Sequence, residues 1–280
     1  MASRTPAPPG PTEDANPRTA DLDRLELEPL LARLLDEDAT VPAAVRRALP
    51  ELARAAERLE ATLRAGGRWF NLGAGTSGRI GVLDASEIPP TFGLPPDRVQ
   101  GVIAGGPTAL ASAVEGAEDR ADDAARDLAA RGFAASDALL ALSASGRTPY
   151  ALGGLRHART LGAATLAVTC APGSELARAA EIAIVVEVGP EAIAGSTRMK
   201  GGLAQKMVLH ALSTAVMVRL GRTRGNRMSH VAATNDKLRA RALRMVMELA
   251  GVDEPTARAA LEAEDHSPER ALERLGARSR

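Results

Sequence analysis

The sequence predicts an α/β protein: a three-layer α/β/α sandwich around a five-stranded parallel sheet, followed by a small C-terminal helical module. Three observations carry this. Five short, nearly continuous apolar runs alternate with helical stretches, the pattern of parallel strands covered on both faces. The final segment is purely helical in pattern, with no further strand-like run. At 280 residues the chain can bury one large core and carry a small appendage without a second large domain.

In chain order, residues 1–20 read as a flexible N-terminal arm, rich in Pro, Ala and polar residues and lacking the apolar core of a secretory signal. Residues 22–35 have apolar positions at helical spacing, and Thr40 with Pro42 starts a second helical run that stops at Gly66 and Gly67. The strand runs are residues 69–72, 99–104, 139–142, 164–169 and 182–186. Residues 197–220 are apolar around much of the circumference, so that helix is expected to be buried or to lie in a subunit contact, with burial favoured. Residues 253–275 read as two short helices, the second opened by Ser267 as N-cap and Pro268 at the first helical position. The resulting division is an arm over 1–20, a main domain over 21–235 and a helical module over 236–280.

Composition narrows the function classes. Thirty-five basic and 35 acidic residues balance to zero, and 45% of residues are hydrophobic. Nothing in that balance recommends nucleic acid or an anionic membrane as partner, and no apolar run approaches the roughly 20 residues of a membrane span. Aromatic residues are only 2%, so the core must be built from Ala, Leu, Val and Ile. The single Cys170 ends an apolar strand-like run and is expected to be a buried structural thiol; it fits a reducing, cytoplasmic location. His157, His210, His230 and His266 show no zinc-type spacing.

Two loops carry the chemistry. The first, residues 73–78 with Gly75, Thr76 and Ser77, follows a strand and opens a helix, so its backbone N–H groups and the positive helix end can face a phosphate. Its glycines match a dinucleotide-type spacing, but Thr76, Ser77 and the second loop argue against a nucleotide. That second loop, residues 143–149, sets the hydroxyls of Ser143, Ser145 and Thr148 on a tight turn ahead of Pro149, a helix start suited to a phosphomonoester. Helix capping alone is the bland reading of either loop; two in one sheet, at the strand ends where ligands bind, favour a ligand.

With both loops placed, the chain resembles a sugar isomerase (SIS) domain, a flavodoxin-like fold whose serine-rich loop binds a sugar phosphate. Longer strings narrow the resemblance. GAGTSGRIGVLDASEIPPTFG over 73–93, IAGGPTALASAVEGAED over 103–119, SASGRTPY over 143–150 and IAGSTRMKGGLAQ over 193–205 together resemble the N-acetylmuramic acid 6-phosphate etherase family. The likeness runs in collinear order from about Thr12 to the C-terminus. Ile88 stands where many members have Cys, and the residues before Thr12 are expected to be dispensable. The chain ends at Arg280, early for the family, which implies that its ubiquitin-associated-like module lacks a last helix.

The resemblance implies loss of D-lactate from C3 of N-acetylmuramic acid 6-phosphate by elimination and hydration, giving N-acetylglucosamine 6-phosphate. It places the reaction in amino sugar catabolism and cell-wall recycling, with no metal or redox cofactor. It implies Glu87 as the acid on the lactate oxygen, delivered by the helix that the first loop launches, and Glu118 as the base at C2. It also implies a homodimer with a small sugar phosphate as its ligand. Read without the resemblance, Glu118 is one acid among many, with Glu115 on nearly the same helix face. Glu191 either lines the site or is a helix-start acid held by the dipole. Rival readings are a sugar-phosphate sensor related to glucokinase regulatory proteins, which are much longer, and an aldose–ketose isomerase of the same fold.

Overall fold

The computed structural model describes residues 10–231 and 236–277. After two short 3-10 turns at Pro17–Thr19 and Leu22–Arg24 come helices α1 (Leu27–Asp38), α2 (Val41–Arg47) and α3 (Leu49–Arg64). The expected single run from Thr40 to Gly66 is thus divided at Ala48. Pro50 explains the break: its ring lacks an N–H and clashes with a continuing helix, yet fits the first turn of a new one.

The sheet follows as expected: β1 (Trp69–Gly73), α4 (Gly75–Phe92), β2 (Val99–Ile103), α5 (Thr108–Ala111), α6 (Ala121–Ala130), β3 (Ala138–Leu142), α7 (Pro149–Thr160), β4 (Ala164–Thr169), α8 (Glu175–Ala179) and β5 (Ile182–Val185). All four pairings are parallel, in the order β2-β1-β3-β4-β5. Side chains alternate across it: Leu140, Leu142, Leu166 and Val168 face one core with Trp69, while Phe70, Leu72, Leu139 and Ala167 face the other. The first core is closed by α2, α3, α4 and α9 (Lys200–Arg219), the second by α6 and α7.

Helix α9 starts at Lys200 rather than Thr197, and its buried face, including Val208, Leu212 and Val216, makes it a core helix packed on α2, α3 and α4. Its outer face is not closed. Ala211 and Ala215 line, with Leu49, Ala53 and Ala56 of α3, an apolar groove of about 430 Å³.

Residues 10–20 correct the expected flexible arm. Thr12, Asn16 and Thr19 are buried, and this strap is bonded to the segment before α9: the Gly195 N–H donates to the Thr12 carbonyl at 3.0 Å and the Thr19 hydroxyl to the Ala192 carbonyl at 2.9 Å. Asn16 Nδ2 donates to Glu37 on α1 at 2.8 Å, and the same Glu37 oxygen takes a bond from Lys200 Nζ at 2.8 Å. Residues 1–9 of the expected arm lie outside the described residues.

Helices α10 (Asp236–Ala250), α11 (Glu254–Ala263) and α12 (Pro268–Arg274) share a core of their own, including Val246, Leu261 and Leu272. Ser267 caps α12 as expected, accepting a bond from the Arg270 N–H. The module is tied to the sandwich by Arg224, whose guanidinium grips Glu269 bidentately at 2.6 and 3.0 Å. No helix among the described residues is long and apolar enough to cross a membrane.

Candidate active site

The two loops meet at the C-terminal edge of β1 and β3, which are hydrogen-bonded neighbours. In the first, Gly73 and Gly78 let the chain turn back sharply: a Cβ at Gly78 would lie 2.6 Å from the Gly73 carbonyl oxygen. Helix α4 therefore starts almost on top of its strand, and its first-turn N–H groups, at Gly75, Thr76 and Ser77, have no partner within the helix.

The second loop is more tightly specified. Ser143 is buried, and its hydroxyl lies 2.8 Å from the Thr148 hydroxyl and 3.4 Å from that of Ser145, while accepting a bond from the Gly146 N–H at 3.1 Å. Thr148 stands at the N-cap of α7 without capping it by its side chain, so its hydroxyl belongs to the cluster. Ser143 and Ser145 accept the N–H groups of Gly146 and Arg147, so the loop holds its own hydroxyls together at the head of α7.

Glu118 reaches this cluster from the far end of the β2–α6 connection. Residues 112–120 form turns, which corrects the helical placement of Glu115 and Glu118. The Glu118 carbonyl accepts a bond from the Tyr150 N–H at 2.9 Å, pinning its main chain to the first turn of α7. Tyr150 is itself fully buried and donates its hydroxyl to Asp127 of α6 at 2.6 Å.

One cavity of about 410 Å³ results, lined by Gly75, Thr76, Ser77, Glu118, Ser143, Ser145 and Thr148 together. Asp119, Arg147, Thr197 and Glu13 also line it. Glu13 was hidden in the segment read as an arm; the signal that it belongs here is the buried Thr12 beside it, which no pattern of apolar residues announces.

Glu87 is elsewhere. It is exposed, twelve residues down α4 from Gly75, about 18 Å along the helix axis at 1.5 Å per residue, away from the cavity. The helix carries it away from the first loop, the reverse of the expected delivery, because a crossover helix runs antiparallel to its strand. Its neighbour Asp84 is buried, accepts a bond from the Ser213 hydroxyl at 3.2 Å and feels the charges of Lys206, His210 and Glu87. Burial pushes the Asp84 carboxyl up, partly offset by the Lys206 charge.

Glu191 is the helix-start acid of the two readings. Fully buried, it accepts bonds from the Lys200 and Gly201 N–H groups, each at 2.8 Å, and so caps α9 rather than lining the cavity. Burial raises its pKa against the opposing pull of those two bonds. Cys170 is buried, its thiol pushed up to about 12 by desolvation and then by Glu191, which makes it inert. Among the described residues no group of three His, Cys, Asp or Glu is placed to hold a metal ion.

Comparison with known proteins decides the family. Residues 51–159 match the glucokinase regulatory protein N-terminal SIS domain model and residues 122–215 the SIS domain model. An N-acetylmuramic acid 6-phosphate etherase of Mycolicibacterium smegmatis is 52% identical over 266 residues, covering 95% of this chain and 89% of the relative. One of Cronobacter sakazakii is 55% identical over 250 residues, covering 89% and 84%. This chain belongs to the N-acetylmuramic acid 6-phosphate etherase family.

Solved structures agree on the fold. A phosphoheptose isomerase from Francisella tularensis matches with a TM-score of 0.51 at 21% identity, covering 69% of this chain and 98% of its own. A protein of E. coli CFT073 matches with a TM-score of 0.53 at 19% identity, covering 72% and 97%. The expected SIS sandwich with its five-stranded parallel sheet is the observed one.

Proposed function

We propose that this chain cleaves the lactyl ether of N-acetylmuramic acid 6-phosphate, releasing D-lactate and N-acetylglucosamine 6-phosphate. The observation that supports it best is the meeting, in one cavity, of the Ser143, Ser145 and Thr148 hydroxyls with the carboxylate of Glu118. The hydroxyls suit the phosphate, with Arg147 as the nearby cation. The ring-opened sugar has an acidic C2 proton beside its aldehyde; Glu118 takes it, the C3–O bond breaks, and the departing oxygen takes a proton to become the hydroxyl of lactate. Water then adds at C3 of the unsaturated aldehyde as a proton returns to C2.

The acid for the lactate oxygen is Glu87 of a second copy. Glu87 and Glu118 of one chain are too far apart to serve one sugar, so both roles survive only in a homodimer whose partners exchange Glu87. The apolar groove between α3 and α9, with exposed Leu83 and Val218 on the same helical layer, offers surface for that association.

Incubating the protein with N-acetylmuramic acid 6-phosphate and assaying free D-lactate tests the reading, and separates it from a sensor or an aldose–ketose isomerase. Glu87→Gln should stop lactate release while C2 hydrogen still exchanges with solvent. Release at the parental rate would remove the acid assignment. Ser145→Ala should weaken binding of the phosphorylated sugar and leave that of its unphosphorylated counterpart unchanged; undiminished discrimination between the two would count against the cradle.

A further inference from the structure

We propose that Glu13, carried on the strap over residues 10–16, is a sugar-binding residue in the wall of the substrate cavity. Glu13 lines the cavity together with Thr76, Ser145 and Thr197. Its placement is enforced from both sides. Thr12 is fully buried and its carbonyl is bonded to Gly195, while Asn16 is tied to Glu37 and to the Pro190 carbonyl. Gly195 itself has φ of +76°, and a Cβ there would lie 2.8 Å from Glu13 Oε2, so the glycine makes room for this carboxylate. Yet among the described residues the Glu13 side chain has no hydrogen bond or ion pair; the fold positions the group and leaves its acceptors open to the cavity.

An ionised carboxylate only accepts hydrogen bonds. Beside a cradle for phosphate it repels the anion and welcomes neutral donors, which the sugar supplies as ring hydroxyls and an acetamide N–H. Glu13 therefore reads the sugar while Ser143, Ser145 and Thr148 hold the phosphate, a division that rests on the sugar-phosphate reading of this cavity.

Calorimetric titration of the full chain with N-acetylglucosamine 6-phosphate and, separately, with inorganic phosphate tests it. Glu13→Ala should lower affinity for the sugar phosphate about ten- to one-hundred-fold, the worth of a charge-assisted hydrogen bond. Its affinity for phosphate alone should hold or rise, and its melting temperature should not move. Glu13→Gln, which keeps a neutral acceptor, should recover part of the loss. Parental affinity of Glu13→Ala for the sugar phosphate, or equal losses for both ligands, would overturn the proposal while leaving the cavity's function intact. A parent that binds neither ligand would overturn the sugar-phosphate reading, and this proposal with it.

Discussion

Glu37 and Lys200 form a pair that is all but sealed from solvent, at 2% and 0% side-chain exposure. Among the described residues the Lys200 ammonium has that one salt bridge, whereas Glu37 also holds Arg18 and Asn16. Breaking such a pair from the side that strands a charge costs about 3–5 kcal/mol. Glu37→Gln should therefore destabilise the fold by about that much, and Lys200→Met by clearly less, since Glu37 keeps Arg18; urea denaturation of the two variants checks the order. Burial pushes the Glu37 carboxyl up, but the bonds from Lys200, Arg18 and Asn16 outweigh it and leave the pKa below its ordinary 4.5. Its stabilising contribution is thus complete above about 4.5 and is lost as pH falls through the lower folded value. None of this was legible in the sequence, where Glu37 is one of 35 acids and its partner lies 163 positions away.

Elements are legible where a single local rule governs them. The strands are nearly continuous apolar runs, broken by Asn71 in β1 and Gln100 in the edge strand β2, because their faces are covered. Pro149 opens α7 and Ser267 with Pro268 opens α12, although the Thr148 hydroxyl does not cap its helix. The expected helix over 22–35 fared less well: α1 begins at Leu27, and its stripe of Leu27, Leu31 and Leu35 is exposed, so periodicity there does not mark the core of this chain. The helical placement of Glu118 does not hold because residues 112–120 run through local turns, with Gly116 at φ of +69°, and a single bond from the Tyr150 N–H holds Glu118 to α7. Helix α4 offers an element-level test. Gly78→Ala puts a methyl against the Gly73 carbonyl and Ile103 Cγ1, each 2.6 Å away, and should cost about 1–3 kcal/mol by overpacking. A melting temperature unchanged from the parent would show that the strand and helix are not in the close contact described.

At the scale of the whole molecule, the parallel sheet gathers the ends of β1 and β3 at one edge and sends α4 with Glu87 to the other. A two-copy site predicts complementation. Glu87→Gln and Glu118→Gln should each be inactive alone, yet after subunit exchange an equimolar mixture should regain about one quarter of parental activity, because half the dimers hold one intact site. A mixture as inactive as its components would place both carboxylates in a single chain or remove one of them. The bond from the Tyr150 N–H to the Glu118 carbonyl has its own consequence. In the proposed reaction, whatever grips the head of α7 would also steady the carboxylate that draws the C2 proton, so the phosphate would act as a handle whose grip serves timing as well as capture. A muramic acid sugar stripped of its phosphate should remain slow even at saturation, its deficit appearing in kcat and not in KM alone.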